Sequence, residues 1–128
     1  MFHIYIQTHF SAGHHLRDYP GDCEKPHGHN WRVKVTVSTD QLDELGMGLD
    51  FRQLKQAVKK VVDELDHRDL NDHLAFAAVN PSSENIAVFI FNSLKEDLTG
   101  HRYQLHSVDV SETDTTGVIY FGNQPARA

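Results

Sequence analysis

The chain has a single cysteine, no long apolar run, no excess of basic residues and no internal repeat or low-complexity segment. Each absence excludes something. One thiol cannot close an internal disulfide, so Cys23 is either a small buried side chain or a thiol kept for its chemistry. No stretch approaches the ~18 consecutive apolar residues of a membrane-spanning helix, so no membrane partner is expected. Twelve Lys and Arg against eighteen Asp and Glu give a net charge of −6 with histidine neutral. That balance argues against a general nucleic-acid binder, which would carry a basic stripe against the phosphates. It leaves room for a phosphorylated small molecule, held by a few local cations or a metal. Met1 to Phe10 alternates and lacks the basic patch and apolar block of a secretory signal, so a cytoplasmic protein is expected. No Pro/Gly/Ser-rich linker divides the 128 residues, and 39% apolar composition is enough for one domain, 1–128, with its own core. The conspicuous surplus is histidine, with ten.

Phe2, Ile4, Ile6, Thr8 and Phe10 alternate with polar residues, as do Trp31, Val33, Val35 and Val37, and each period of two predicts a strand. Ser11 to Asn30 reads as a long polar loop, and loops of that length are usually functional. From a candidate N-cap at Asp50, apolar residues recur at helical spacing to Leu65, ending near Asp66. A second helical stripe, Ile86, Ala87, Ile90 and Leu94, follows Pro81 and Ser82. Tyr103–Thr113 and Val118–Phe121 alternate again. The order ββααββ predicts an α+β fold, a four-stranded antiparallel sheet with two helices on one face. Open edges on so small a sheet favour pairing between subunits.

The segment CEKPHGHN, Cys23 to Asn30, is the strongest chemical signal. His27 and His29, two apart in extended chain, place both imidazoles on one face, close enough to share a cation, and Gly28 between them lets backbone pass close by. A catalytic zinc holds three protein groups and leaves a position open. His14, in the loop after the first strand, is the candidate third ligand, with adjacent His15 its competitor. An isolated HxH is otherwise just two surface histidines. Cys23 is a base, a fourth ligand that closes a structural site, or a buried bystander, although Asp22, Glu24, Lys25 and Pro26 are not core company. Asp66 and His67 stand at a helix C-terminus, where they either cap it or move protons near neutral pH. Glu112 continues the face of Val108 and Val110, so either the strand has left the core or a carboxylate points into a ligand-sized site.

Six motifs in order, FSAGHHL (10–16), CEKPHGHNW (23–31), GLDF (48–51), LDHRDLND (65–72), NPSSEN (80–85) and SETDTTGVIY (111–120), resemble the 6-pyruvoyl-tetrahydropterin synthase and 6-carboxy-tetrahydropterin synthase family. The resemblance covers nearly the whole chain. It implies the tunnelling fold, in which trimers close their sheets into a barrel and two trimers stack as a homohexamer with active sites between subunits. It also implies Zn2+ on His14, His27 and His29, Cys23 as the proton-abstracting base, Asp66 and His67 as its relay, and Glu112 as the anchor of the pterin ring. The three-residue spacer between Cys23 and His27 is similar to that of the bacterial 6-carboxy branch, of the queuosine pathway. That branch converts 7,8-dihydroneopterin triphosphate to 6-carboxy-5,6,7,8-tetrahydropterin, releasing acetaldehyde and triphosphate. The alternatives are the 6-pyruvoyl reaction on the same substrate, and a non-catalytic zinc or pterin-binding relative. Lys25, Arg68 and Arg102 are candidate cations for the triphosphate.

Overall fold

The computed structural model describes residues 1–21 and 25–122. The alternation seen at the N-terminus runs further than Phe10. Strand β1 spans Phe2–His14 and pairs antiparallel with β2, His27–Thr39, in unbroken register from Phe2 opposite Thr39 to His14 opposite His27. Four residues of the expected loop at each end are therefore sheet, and the connection shrinks to residues 15–26. Ile6, Phe10 and Ala12 of β1 and Trp31, Val33, Val35 and Val37 of β2 point to one face and are buried, as a period of two requires.

Helix α1, Phe51–Leu65, starts at Asp50, whose carboxylate accepts the Arg52 N–H at 2.8 Å, and ends at Asp66, whose N–H donates to the Val62 carbonyl. Its stripe of Leu54, Val58, Val61, Val62 and Leu65 is buried, and the helix lies across β1. The chain then adds a strand absent from the ββααββ expectation: β3, Arg68–Asp69, pairs in parallel with Ala12 and Gly13. Two single-turn 3₁₀ segments, Leu70–Asp72 and Leu74–Phe76, bury Leu70 and Phe76. Helix α2, Ser83–Leu94, is capped by the Ser82 side chain and packs against α1, β4 (Tyr103–Ser111) and β5 (Val118–Tyr120). The sheet order is β3-β1-β2-β4-β5, five strands instead of four, with both helices over one face. Among the described residues no helix is long and apolar enough to cross a membrane.

Two features of this sheet position the site. The helix-covered face runs past the last apolar side chains, so inward positions at the end of β1 and the start of β2 lie beside the core. Among the described residues β5 is the last strand on one side of the sheet, and on the other β1 is covered only at Ala12 and Gly13. The opposite face is polar, with His3, Tyr5, Gln7 and His9 exposed along β1.

Candidate active site

His14 follows Ala12 on the inward face of β1, and His27 and His29 precede Trp31 on the inward face of β2. Cross-strand pairing sets His14 opposite His27 and Ala12 opposite His29. The three rings meet edge-on, with centroids 4.5–5.1 Å apart, and His14 and His29 both abut the buried Trp31 ring. One ring nitrogen from each lies within 4.8 Å of the others, a group that could hold a metal ion. Of His14 and His15 it is His14 that joins the other two rings: β1 continues to residue 14, and parity turns its side chain to the core side.

The donor set fits a metal. The His14 Nδ1–H donates to the Pro81 carbonyl at 2.7 Å, and the His27 Nδ1–H donates to the Lys25 carbonyl at 2.7 Å. Such bonds fix the tautomer and leave Nε2 as a free lone pair, the usual outer support of a metal-binding imidazole. Nε2 of His14 and Nε2 of His29 are buried with no hydrogen-bond partner among the described residues, and orphaned buried nitrogens are rare unless a ligand uses them. Burial pushes the His14 pKa down, only partly opposed by the Pro81 carbonyl and Glu112, so the ring is neutral at pH 7, as a ligand must be.

Glu112, one residue past β4, turns toward these rings, with its side chain still 34% exposed. Its two oxygens stand 3.5 Å from His29 Nε2 and 4.0 Å from His14 Nε2, and Ser83 Oγ donates to one of them at 3.2 Å. Of the two courses open to this residue, the structure has the carboxylate facing the histidine cluster. A cleft of about 940 Å³ ends at His29 and Glu112 and runs along the helix-free face past Ser111, Arg32 and His9, large enough for a bicyclic ligand with a side chain.

Asp66 and His67 form a second group, on the outer edge of β1. Asp66 accepts the Ser11 N–H at 2.9 Å through one carboxylate oxygen and lies 3.0 Å from His67 Nδ1 through the other. The Ser11 N–H, and secondarily His67, hold the Asp66 carboxyl below its ordinary range. His67 adopts a left-handed backbone, φ 59°, secured by its N–H donating to the Ser11 carbonyl. Its side chain is 81% exposed. With Arg68 it lines a shallower cleft of about 430 Å³ that His29 and Asn30 also border. The Asp66 backbone does cap α1, but its carboxylate serves the neighbouring strand.

Cys23 lies outside the described residues. Among the candidate cations, Arg68 borders the site. Arg102 does not: its guanidinium donates to the carbonyls of Gln41, Met47 and Gly48, and its own carbonyl accepts from Thr39, at the opposite end of β2 from His27. Gly28 is not needed for space within the chain, since a Cβ there would meet only the Ala12 carbonyl at 3.9 Å. Sequence reasoning missed the main-chain contacts of Pro81, Lys25 and Ser11, since main-chain groups carry no residue-type signal; it also missed Ser83, which lay inside the NPSSEN motif without a role.

The sequence profile of the 6-pyruvoyl tetrahydropterin synthase family matches residues 3–123. The chain belongs to this family. Its relatives include the 6-carboxy-5,6,7,8-tetrahydropterin synthase of Synechocystis sp., 41% identical over 127 residues and 94% of each chain. The human 6-pyruvoyl tetrahydrobiopterin synthase is 37% identical over 106 residues, 80% of this chain and 72% of the human one. Among solved structures, the Caenorhabditis elegans 6-pyruvoyl tetrahydropterin synthase superposes with a TM-score of 0.83 at 28% identity, covering 95% of this chain and 96% of that one. The fold, α+β with two helices on a mostly antiparallel sheet, is the one this family shares.

Proposed function

We propose that the protein is a zinc-dependent lyase that converts 7,8-dihydroneopterin triphosphate to 6-carboxy-5,6,7,8-tetrahydropterin, with release of acetaldehyde and triphosphate. The observation that carries this is the convergence of three imidazole nitrogens, two of them orphaned, beside the Glu112 carboxylate. It is supported by 41% identity, over nearly the full length, to a protein named for that product.

His14, His27 and His29 would hold the metal. Three nitrogen ligands suit Zn2+, which when bound supplies a Lewis acid for the hydroxyls of the substrate side chain and lowers the cost of charge developing as a carbon-bound proton leaves. The remaining work falls to the chain itself. Glu112 accepts hydrogen bonds from the pterin ring N–H and amino group, and the Ser83 hydroxyl fixes the rotation of that carboxylate. This orients the substrate side chain toward the histidines. Cys23 takes the carbon-bound proton as thiolate, a base suited to neutral pH beside a cationic site. Asp66, ionised well below neutrality, holds the His67 Nδ1–H and leaves Nε2 to carry a proton to or from the thiol. Arg68 is positioned to meet a phosphate oxygen. We assign the assembly as a homohexamer, a dimer of trimers with sites between subunits. A β1 edge covered only at Ala12 and Gly13, with His67 exposed beside it, supports that reading.

The deciding experiment incubates the zinc-loaded protein with 7,8-dihydroneopterin triphosphate and identifies all products. Acetaldehyde with the 6-carboxy product is expected. A 6-pyruvoyl product without acetaldehyde moves the protein to the branch of its human relative, and recovery of intact substrate removes the enzyme reading altogether.

A further inference from the structure

The segment that follows His14 leaves the sheet yet is bonded as if it were still in it. His15 donates its N–H to Asn71 Oδ1 at 2.9 Å, and Asn71 Nδ2 returns a bond to the His15 carbonyl at 3.2 Å. Two residues on, Arg17 donates its N–H to Asn80 Oδ1 at 2.9 Å, and Asn80 Nδ2 returns a bond to the Arg17 carbonyl at 3.2 Å. A carboxamide offers one donor and one acceptor in a plane, the same pattern a peptide unit presents to a neighbouring strand. Residues 15–17 are thus paired to two side chains standing in for backbone. The guanidinium of Arg17 adds donations to the carbonyls of Phe76 and Val79, at 2.8 and 3.2 Å.

Asn80 is the residue before Pro81, whose carbonyl orients His14 through Nδ1. The Asn80 carbonyl in turn accepts from Asn85 Nδ2 at 2.9 Å, which ties the same two residues to the first turn of α2. The His14 ring and its orienting carbonyl are therefore closed into one loop: His14 to Arg17 along the chain, Arg17 to Asn80 by the paired amide bonds, and Pro81 back to His14. None of the links depends on the metal.

We infer that Asn71 and Asn80 are positioning residues for the metal centre, holding residues 15–17 against the 71–81 segment so that the His14 Nε2 lone pair stays aimed at the position shared with His27 and His29. The inference rests on His14 being a metal ligand, the reading proposed above. Outer groups of this kind typically change metal affinity about 10- to 100-fold when removed.

The test is competition of the protein against a chromophoric zinc chelator, with melting temperature measured on the same samples. Asn80→Ala is expected to weaken zinc binding about 10- to 100-fold and to speed hydrogen exchange at the Arg17 amide. Val61→Ala, a core truncation on α1 away from the site, supplies a variant of comparable melting temperature and is expected to keep wild-type zinc affinity. Unchanged affinity in Asn80→Ala overturns the inference, as does an equal loss in Val61→Ala, which would make the effect one of general stability. Where Asn80→Ala does not fold, Asn80→Asp decides: it keeps the acceptor for Arg17 and loses the returned donation, so weaker zinc binding supports the role and unchanged binding refutes it. His14→Ala tests the underlying reading separately. If that variant binds zinc like wild type, the metal assignment fails; if it loses zinc while Asn80→Ala does not, only the positioning role fails.

Discussion

Replacing Cys23 by alanine separates a base from a ligand. A proton-abstracting thiol can be removed with the three imidazoles still converging, so Cys23→Ala is expected to keep full zinc content while turnover falls at least about 100-fold. A structural Cys-His₃ site would lose metal instead, and elemental analysis beside a product assay distinguishes the two. His27→Ala is expected to lose both metal and activity, because it supplies one of the three ring nitrogens that converge among the described residues. Asp66 yields a pH prediction whose sign follows from its environment. Its carboxyl, held below the ordinary value of 3.8 by the Ser11 N–H and His67, stabilises the fold only while ionised. The melting-temperature advantage of wild type over Asp66→Asn is therefore complete well above pH 3.8. It shrinks as pH falls through that value toward the depressed native one. An advantage that grows in acid would mean that the bond to Ser11 does not govern the group.

At the level of elements, two glycines from the motifs have opposite expectations. A Cβ at Gly48 would drive into the side chains of Ile4 and Thr39, so Gly48→Ala is expected to cost about 1–3 kcal/mol in denaturant titrations through overpacking. Gly28→Ala meets the Ala12 carbonyl at an ordinary contact distance of 3.9 Å and is expected to fold with wild-type stability, so any loss of activity it causes must come from what docks there. The helix caps, by contrast, follow ordinary rules: Ser82→Ala removes the acceptor of the Asn85 N–H and is expected to cost about 1 kcal/mol. Both helices were legible because caps and a stripe of Leu, Val and Ile are local signals. Strand lengths were not. Beyond Phe10 the alternation passes into Ala12 and His14, and before Trp31 it passes through His29 and His27; these polar or small residues look like loop until the partner strand is known. Had β1 been extended by parity, the choice of His14 over its competitor His15 would have had a structural reason without any family likeness. Strand β3 is two residues long and has no period to detect. Its partner Ala12 is fixed only by the packing of α1 on the sheet, which also brings Asp66 to Ser11. The contacts of Pro81, Lys25 and Ser83 are tertiary in the same sense: they exist because the ends of β1, β2 and α2 arrive at one place.

For the molecule as a whole, the same geometry that gathers the histidines leaves Asp66 and His67 on the outside of the sheet. Asp66 and His67 lie on the β1 edge of the sheet, and among the described residues β5 is the last strand on the other side. Sheet sides that differ in this way favour head-to-tail closure into a ring in preference to a twofold pair, and a ring would bring one chain's His67 beside the next chain. The net charge of −6 gives no reason for an anionic substrate to approach, so under the proposed function attraction would have to be local, from a cation held by the three histidines and from Arg68. If the proton relay is completed across subunits, two inactive variants should repair each other. Cys23→Ala and His67→Ala are each expected to be nearly inactive alone. When equal amounts are unfolded together and reassembled, a site made of Cys23 from one chain and His67 from its neighbour is intact in about a quarter of cases for random mixing around a heterologous ring. Activity is therefore expected to recover to about that fraction of wild type. If both residues serve the site of their own chain, no mixed ring contains a complete set and the mixture stays inactive. Mass measurement on the same sample, against six chains of 14.6 kDa, shows whether reassembly took place, so that a silent mixture of intact rings counts against the shared site and not against refolding.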